Sequence, residues 1–268
     1  MVNKLLFEAS KRLCNSDTPM LDARVLLAKA ANVKDSLLIF RDLSKEEKEK
    51  FEKYISLREK GVPVSYITGE KEFMGYSFRL NKDTLIPRPD TECLVEAVLE
   101  VAKPQCTILD LCTGSGCIGI SLVKKTVGST AVLCDISQGA LEAARENAES
   151  LGVKERIKVI YSDVLTMDFV GKYDIITANP PYIESNIVPT LAVSKFEPHR
   201  ALDGGKDGLC FYRAIAKKAY NALNDGGILA FEIGYNLAKA VSELMGDYKN
   251  VTVKKDYAGN GRVVIGYK

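Results

Sequence analysis

Apolar and polar positions along this chain follow two rhythms. Up to about residue 60 the apolar residues recur at helical spacing. Leu5, Leu6, Ala9 and Leu13 fall on one helical face. Asp17-Thr18-Pro19 reads as a helix start, with Pro19 suited to the first turn. Leu21, Val25, Leu26 and Ala28 to Ala31 then supply the apolar face of a second helix. Ser44-Lys45-Glu46-Glu47 spells a capping box that opens a third, mostly charged helix running towards Lys60. Its charge-rich surface reads first as a solvated face, with a docking surface for a protein substrate as the alternative. Gly61-Val62-Pro63 breaks the helical pattern.

Residues 64 to 80 are rich in β-branched and aromatic side chains around Gly69 and Gly75, which predicts a hairpin and connector. Pro87-Arg88-Pro89 follows on an extended path, and Thr91 or Asp90 is placed to cap a helix from Glu92 to Val101. Arg88 between two prolines is either a solvated linker arginine or part of a lid strand over a ligand. From residue 104 the rhythm changes to strand–helix alternation, the mark of a parallel sheet. Strands are predicted at Thr107–Leu111, Thr130–Asp135, Ile157–Ile160, Tyr173–Ala178 and Gly227–Ile233, with two more near 250–256 and 261–267. Helices are predicted over Cys117–Lys125, 138–151 and 208–223.

Composition narrows the class. The 268 residues allow one large domain, or a core domain and a small one. The 37 basic and 35 acidic residues leave a net charge of +2, which is no footprint for tight nucleic-acid binding. No apolar run is long enough to span a bilayer, and the N-terminus lacks a signal-peptide core. Seven cysteines without a C-x-x-C pair read as reduced thiols of a cytosolic protein. One histidine, His199, makes a metal site or histidine-based catalysis an unlikely design, and it reads as a loop residue.

Chemistry concentrates after the fourth predicted strand, in Asn179-Pro180-Pro181-Tyr182. The prolines fix their own φ and offer no N–H. The corner therefore presents acceptors: the Asn179 side-chain oxygen and the carbonyls of Asn179 and Pro180. That suits a ligand NH2 group, with Tyr182 as a flat face for a planar amide or base. A proline-rich turn closing a strand is the plain alternative. Upstream, Gly114-Ser115-Gly116-Cys117-Ile118-Gly119 matches G-x-G-x-x-G, with Asp135 at the distance expected for a ribose contact. This pattern encodes a tight turn, close backbone approach and a helix N-terminus, which serve any adenosine cofactor. Asp110 is placed to help hold an ammonium group, and Asp163 with Val164 to meet an adenine.

D-L-C-T-G-S-G, C-D-I-S, S-D-V and N-P-P-Y, in this order and spacing, resemble S-adenosylmethionine-dependent methyltransferases that act on an amino nitrogen. PVSYITGEKEFMGYSFRLNKDTLIPRPDTE narrows the resemblance to the HemK/PrmC family, the protein-glutamine N5-methyltransferases of peptide chain release factors. FEPHRALDGGKDGLCFYR and the helical N-terminal region are similar to the same family, so the resemblance covers essentially the whole chain. N-P-P-Y is shared with DNA amino-methyltransferases, whereas P-R-P-x-T-E is more diagnostic. Cys112 stands where many members have Gly, and Asp90 where Glu is usual.

The resemblance implies an α/β fold: a seven-stranded Rossmann-like class I methyltransferase sheet with a small N-terminal helical domain joined by a β-hairpin connector. It implies residues 1–62 as a release-factor docking domain, 63–86 as the hairpin linker and 87–268 as the methyltransferase domain. Thr113, Gly114, Ser115 and Gly116 would surround the cofactor's methionine moiety, with Asp110 and Cys112 beside them. Asp135 and Ile136 would meet the ribose, and Asp163 with Val164 the adenine. Asn179 and the Pro180 carbonyl would accept from the glutamine amide, with Pro181 and Tyr182 completing the corner and Arg88 and Pro89 lining the pocket. The implied reaction moves a methyl group from S-adenosyl-L-methionine to the glutamine of the Gly-Gly-Gln motif in class 1 release factors, leaving S-adenosyl-L-homocysteine. A cytoplasmic monomer that contacts neither nucleic acid nor membrane is expected. The alternatives are a ribosomal-protein glutamine or another amino nitrogen as substrate, a non-catalytic adaptor, and an NAD-dependent oxidoreductase, which would leave N-P-P-Y unexplained.

Overall fold

In the computed structural model, which describes residues 2–268, the chain forms two compact units divided between Glu70 and Lys71. The first is helical: α1 (Val2–Arg12), α2 (Pro19–Ala31), a 3-10 turn (Asp35–Phe40), α3 (Lys45–Glu59) and α4 (Val64–Thr68). Leu6, Ala9, Leu13, Leu26, Leu27, Phe51 and Ile55 form its core. Pro19 occupies the first turn of α2 as expected. The capping box at α3 is complete: Ser44 Oγ accepts from the Glu47 amide at 3.2 Å, and the Ser44 amide donates back to Glu47 Oε2 at 2.8 Å.

Two expectations for this region are corrected. Leu21 and Val25 are exposed; the buried stripe of α2 is Ala23, Leu26, Leu27 and Ala30. The small alanines let neighbouring helices approach, so packing selected that stripe over the bulkier pair. Buried Asp22 sits on the same side because Ser16, Thr18 and Arg58 all donate to its carboxylate. The residues expected to begin a hairpin at 64 form the helical turn α4 instead, because the Pro63 carbonyl accepts from the Tyr66 and Ile67 amides. The hairpin is confined to β1 (Glu70–Phe73) and β2 (Tyr76–Arg79). Met74 and Gly75 join its strands, both at positive φ, the geometry whose twist matches a two-residue hairpin.

The second unit continues with α5 (Pro89–Leu99), β3 (Thr107–Leu111), α6 (Cys117–Lys125), β4 (Thr130–Asp135), α7 (Gln138–Ser150), β5 (Ile157–Tyr161), β6 (Tyr173–Ala178), α8 (Cys210–Ala222), β7 (Leu223–Glu232), α9 (Ala238–Leu244), β8 (Lys249–Lys255) and β9 (Gly261–Tyr267). Thr91 and Asp90 do not cap α5. Pro89 takes its first position and Arg88 precedes it, so the helix begins three residues earlier than expected. The seven-stranded sheet has the order β5-β4-β3-β6-β7-β9-β8. It is parallel except for β9, which runs antiparallel to both β7 and β8. Strands β3, β4 and β5 extend one way and β6 and β7 the other, so the order reverses between β3 and β6. One face is covered by α5 and α6 over Ile108, Leu133, Ile175 and Ala230. The other is covered by α8 and α9 over Leu109, Ile176, Leu229 and Phe231. Among the described residues no helix is long and apolar enough to cross a membrane.

Candidate active site at the sheet switch point

In open α/β sheets ligands bind beyond the carboxyl ends of the strands, where the strand order reverses. A cavity of about 360 Å³ lies there, within the range of small-molecule sites. Cys112, Gly114, Asp135, Ile136, Asp163, Val164, Asn179 and Pro181 line it, so eight sequence-predicted residues from four separate loops meet at one place. Asp83, Leu85, Ser137, Ser162, Arg200 and Phe211 join them. Ser137 and Ser162 were signalled by their neighbours Asp135 and Asp163. Asp83 carried no motif of its own.

The Gly-rich turn shows why G-x-G-x-x-G occurs here. A Cβ on Gly119 would stand 2.3 Å from a Leu133 methyl and 3.0 Å from Asp110 Cβ, so this glycine lets α6 lie close on the sheet. Gly114 has nothing within 4 Å of such a Cβ and faces the cavity. Cys112 adopts φ +55°, a left-handed conformation that L-residues occupy at a cost of roughly 1–2 kcal/mol. That conformation accounts for the glycine usual in the resembling family. Burial pushes the Cys112 thiol well above its ordinary range, so it remains protonated and is no nucleophile.

Asp110 sits differently from the expectation. It is fully buried and does not line the cavity. Thr113 and Thr177 hydroxyls and the Gly119 amide donate to its two oxygens. Its geometry makes it the anchor that ties the Gly-rich turn to β6. Thr113 and Ser115 are buried with it, and the Ser115 carbonyl accepts from Asn147 Nδ2 at 2.9 Å. Burial pushes Asp110 up to about 6.

Asp135 ends β4, and its oxygens accept from the amides of Gly114 at 2.8 Å and Ser137 at 2.9 Å. A carboxylate has about four lone-pair sites, so acceptor capacity remains for a ligand. Burial raises its pKa, opposed by those amides. Asp163 accepts from the Leu165 amide in a local turn. With Asp83, three carboxylates and one guanidinium, Arg200, line the cavity. This balance, with a tight turn and the apolar side chain of Val164 in the lining, fits a cationic adenosine ligand such as S-adenosylmethionine.

Asn179 ends β6 half-buried, with Nδ2 3.4 Å from Thr91 Oγ1. Glu232 ends the neighbouring strand β7, is fully buried, and lies against Thr91 and Asn179. Burial pushes its carboxyl up to about 7. Tyr182 is pushed up to about 12, chiefly by burial, so its phenol stays neutral. Residues 203–208 clamp this corner. Gly204 donates to the Ile183 carbonyl at 2.8 Å, and Ile183 bridges to Asp203. Arg88 and Pro89 do not line the cavity; Arg88 pairs with the buried carboxylate of Glu197, which ties the Pro-x-Pro segment to the loop before that clamp. His199, expected in a loop, is exposed and opens a short 3-10 turn, His199–Ala201.

Comparisons with known proteins agree with this geometry. Residues 89–200 match the Methyltransferase small domain and residues 4–69 the PrmC N-terminal domain. The chain is 44% identical to the release factor glutamine methyltransferase of Clostridium botulinum, over 91% of this chain and 90% of that one. It is 39% identical to the enzyme of the same name from Moorella thermoacetica, over 100% and 98% of the two chains. A methyltransferase crystal structure from Pyrococcus furiosus superposes on 74% of this chain and 91% of its own with a TM-score of 0.54 at 18% identity, a likeness of fold.

Proposed function

The chain belongs to the release factor glutamine methyltransferase family, and on that premise we propose that it methylates the side-chain amide nitrogen, N5, of the glutamine in the Gly-Gly-Gln motif of class 1 peptide chain release factors. The observation that carries this reading is the meeting of the Asn179 corner and the Asp135 acid in one cavity at the sheet switch point. S-Adenosyl-L-methionine, when bound, supplies an electrophilic methyl group on a sulfonium and leaves as S-adenosyl-L-homocysteine. Asp135 would hold its ribose hydroxyls with its remaining acceptor capacity, Asp163 and Val164 its adenine, and Thr113 to Gly116 its methionine end.

An amide nitrogen is a poor nucleophile, because its lone pair is delocalised into the carbonyl. Among the described residues no strong base lines the corner, so the chain's contribution is orientation. Asn179 Oδ1 and the Pro180 carbonyl each accept one hydrogen of the substrate NH2, which turns its nitrogen towards the donor. Orientation of this kind supplies roughly 7–11 kcal/mol of barrier lowering in well-positioned systems. As the nitrogen gains positive charge its hydrogens become stronger donors, so the same acceptors bind the transition state more tightly than the ground state. Tyr182, neutral and half-buried, packs on the planar amide. Pro181 stiffens the corner. Residues 1–62 are assigned the docking of the release factor, with exposed Phe7, Leu21 and Phe40 and the charged α3 as contact surface.

The test is transfer of labelled methyl from S-adenosyl-L-methionine to a purified release factor, run beside the same factor with its Gly-Gly-Gln glutamine replaced. Label on the intact factor alone is expected. No label on either protein, with cofactor still bound by calorimetry, moves the substrate to another amino nitrogen such as a ribosomal-protein glutamine.

A further inference from the structure

Glu232 is a fully buried carboxyl at the end of β7, outside the residues that any motif singled out. Ala178 pairs with Phe231 in the parallel register of β6 and β7, so Asn179, just past β6, and Glu232, the last residue of β7, are the next residues after that pair. Thr91 of α5 touches both: Asn179 Nδ2 is 3.4 Å from Thr91 Oγ1, and Glu232 meets the side chains of Thr91 and Asn179, each of which favours its ionised form. Glu232 Oε2 has no hydrogen-bond partner among the described residues, in a protein where such buried groups are few.

We infer that the Glu232 carboxylate, touching the Asn179 amide and orienting the Thr91 hydroxyl beside it, sets which way the Asn179 side-chain amide faces, and is thereby a positioning residue for methyl transfer. This rests on the assignment of Asn179 to the substrate amide. The reason lies in the donor count. A carboxylate only accepts, so the single Thr91 hydroxyl hydrogen points at Glu232. Thr91 Oγ1 must then accept from Asn179, which draws Nδ2 inward and leaves Oδ1 facing the substrate NH2. Protonated Glu232 becomes a donor. The Thr91 hydrogen is then free to turn to Asn179, the amide flips, and two NH2 groups oppose each other.

The groups facing Glu232 leave it free to titrate alone near neutrality. Arg262 of β9 favours the charged form and Asp90 of α5 disfavours it. Cys117 of α6, Tyr182 and Tyr212 of α8 are all held neutral, chiefly by burial. Burial places Glu232 at about 7, so it is ionised above that value and protonated below it. Turnover by the full-length enzyme therefore falls as pH drops through about 7.

The test is single-turnover transfer of labelled methyl to a release factor, followed from about pH 5.5 to 8.5 to record the acid limb. Glu232→Gln should lower turnover roughly tenfold or more and remove that limb, with cofactor affinity by calorimetry unchanged. Thr91→Val should do the same, and Thr91→Ser, which keeps the hydroxyl, should recover most of the rate. In an Asn179→Ala background, Glu232→Gln and Thr91→Val should cost nothing further, because residues acting through one group are not additive. An acid limb that survives in Glu232→Gln, a full additional loss in the Asn179→Ala background, or Thr91→Ser no better than Thr91→Val overturns the inference alone. Wild-type transfer by Asn179→Ala overturns the role of Asn179 and this inference with it. If Glu232→Gln does not fold, the two Thr91 variants decide the matter.

Discussion

Gly208 lies directly against the carbonyl of Tyr182: a Cβ built on Gly208 would stand 2.4 Å from that oxygen, and its φ is +70°. Neither the space nor the backbone conformation tolerates a side chain there. Gly204 packs on the Tyr182 Cα in the same way, so the glycines of residues 203–208 are the mould in which the Asn179 corner is set. Gly208→Ala should push this clamp off the corner. We expect turnover to fall at least roughly tenfold, as a misplacement near 1 Å costs still more. Cofactor affinity by calorimetry should stay unchanged, because Gly208 does not line the cavity.

Asn179→Ala should lower turnover by about 10²-fold or more, the usual effect of losing one preorganised polar partner. The check is kcat for methyl transfer at saturating cofactor. A near-wild-type rate would remove Asn179 from the mechanism.

Asp135→Ala should act on cofactor binding. A hydrogen bond to a charged group contributes about 1.5–3 kcal/mol, so affinity should drop roughly 10- to 100-fold. Asp135 accepts most strongly, and at both oxygens, when ionised, and burial raises its pKa. Wild-type affinity should accordingly weaken as pH falls through that raised value, and this weakening should be absent in Asp135→Asn. Isothermal titration across pH reads both.

Asp110 concerns stability. Three donors converge on its carboxylate, so Asp110→Ala strands them and should cost about 3 kcal/mol or more. Asp110→Asn should cost much less, since the Thr177 hydroxyl can turn to accept from the new amide. The folded protein holds the Asp110 proton up to about 6, above the value of 3.8 for a free side chain. The stability this proton confers is complete below the unfolded value and is lost as pH rises through about 6. Relative to Asp110→Asn, wild-type unfolding free energy should fall by about 3 kcal/mol between acid and neutral pH. Urea unfolding of the two proteins measures it.

In the helical unit, Ser44→Ala removes the side-chain half of the capping box and should destabilise α3 by about 1 kcal/mol. Thermal unfolding followed by circular dichroism checks the direction. Transfer of methyl by the second unit's chemistry should be unaffected at temperatures where α3 remains folded.

Much of this was legible in the residues. Helical periodicity located α1, α2 and α3, and short apolar runs located the strands β3, β4 and β6, because those signals are local to one element. The motifs around Gly114, Asp135, Asp163 and Asn179 were legible because a cofactor and an amide each demand particular atoms at fixed places on the chain. Tertiary structure decided the rest. Periodicity could not tell Leu21 and Val25 from Ala23 and Leu27, since the buried face of α2 is chosen by what packs on it. Propensity favoured a strand at residues 64–68, where two hydrogen bonds to the Pro63 carbonyl made a helical turn. Asp110 looked like a ligand contact, and three converging donors turned it into an anchor. Asp83 sits unremarked inside the long stretch from Pro63 to Glu92, and Glu232 lies in no motif. One reaches the cavity and the other Asn179 only because sheet register and loop packing bring together positions far apart in the chain, and no local pattern records such a meeting.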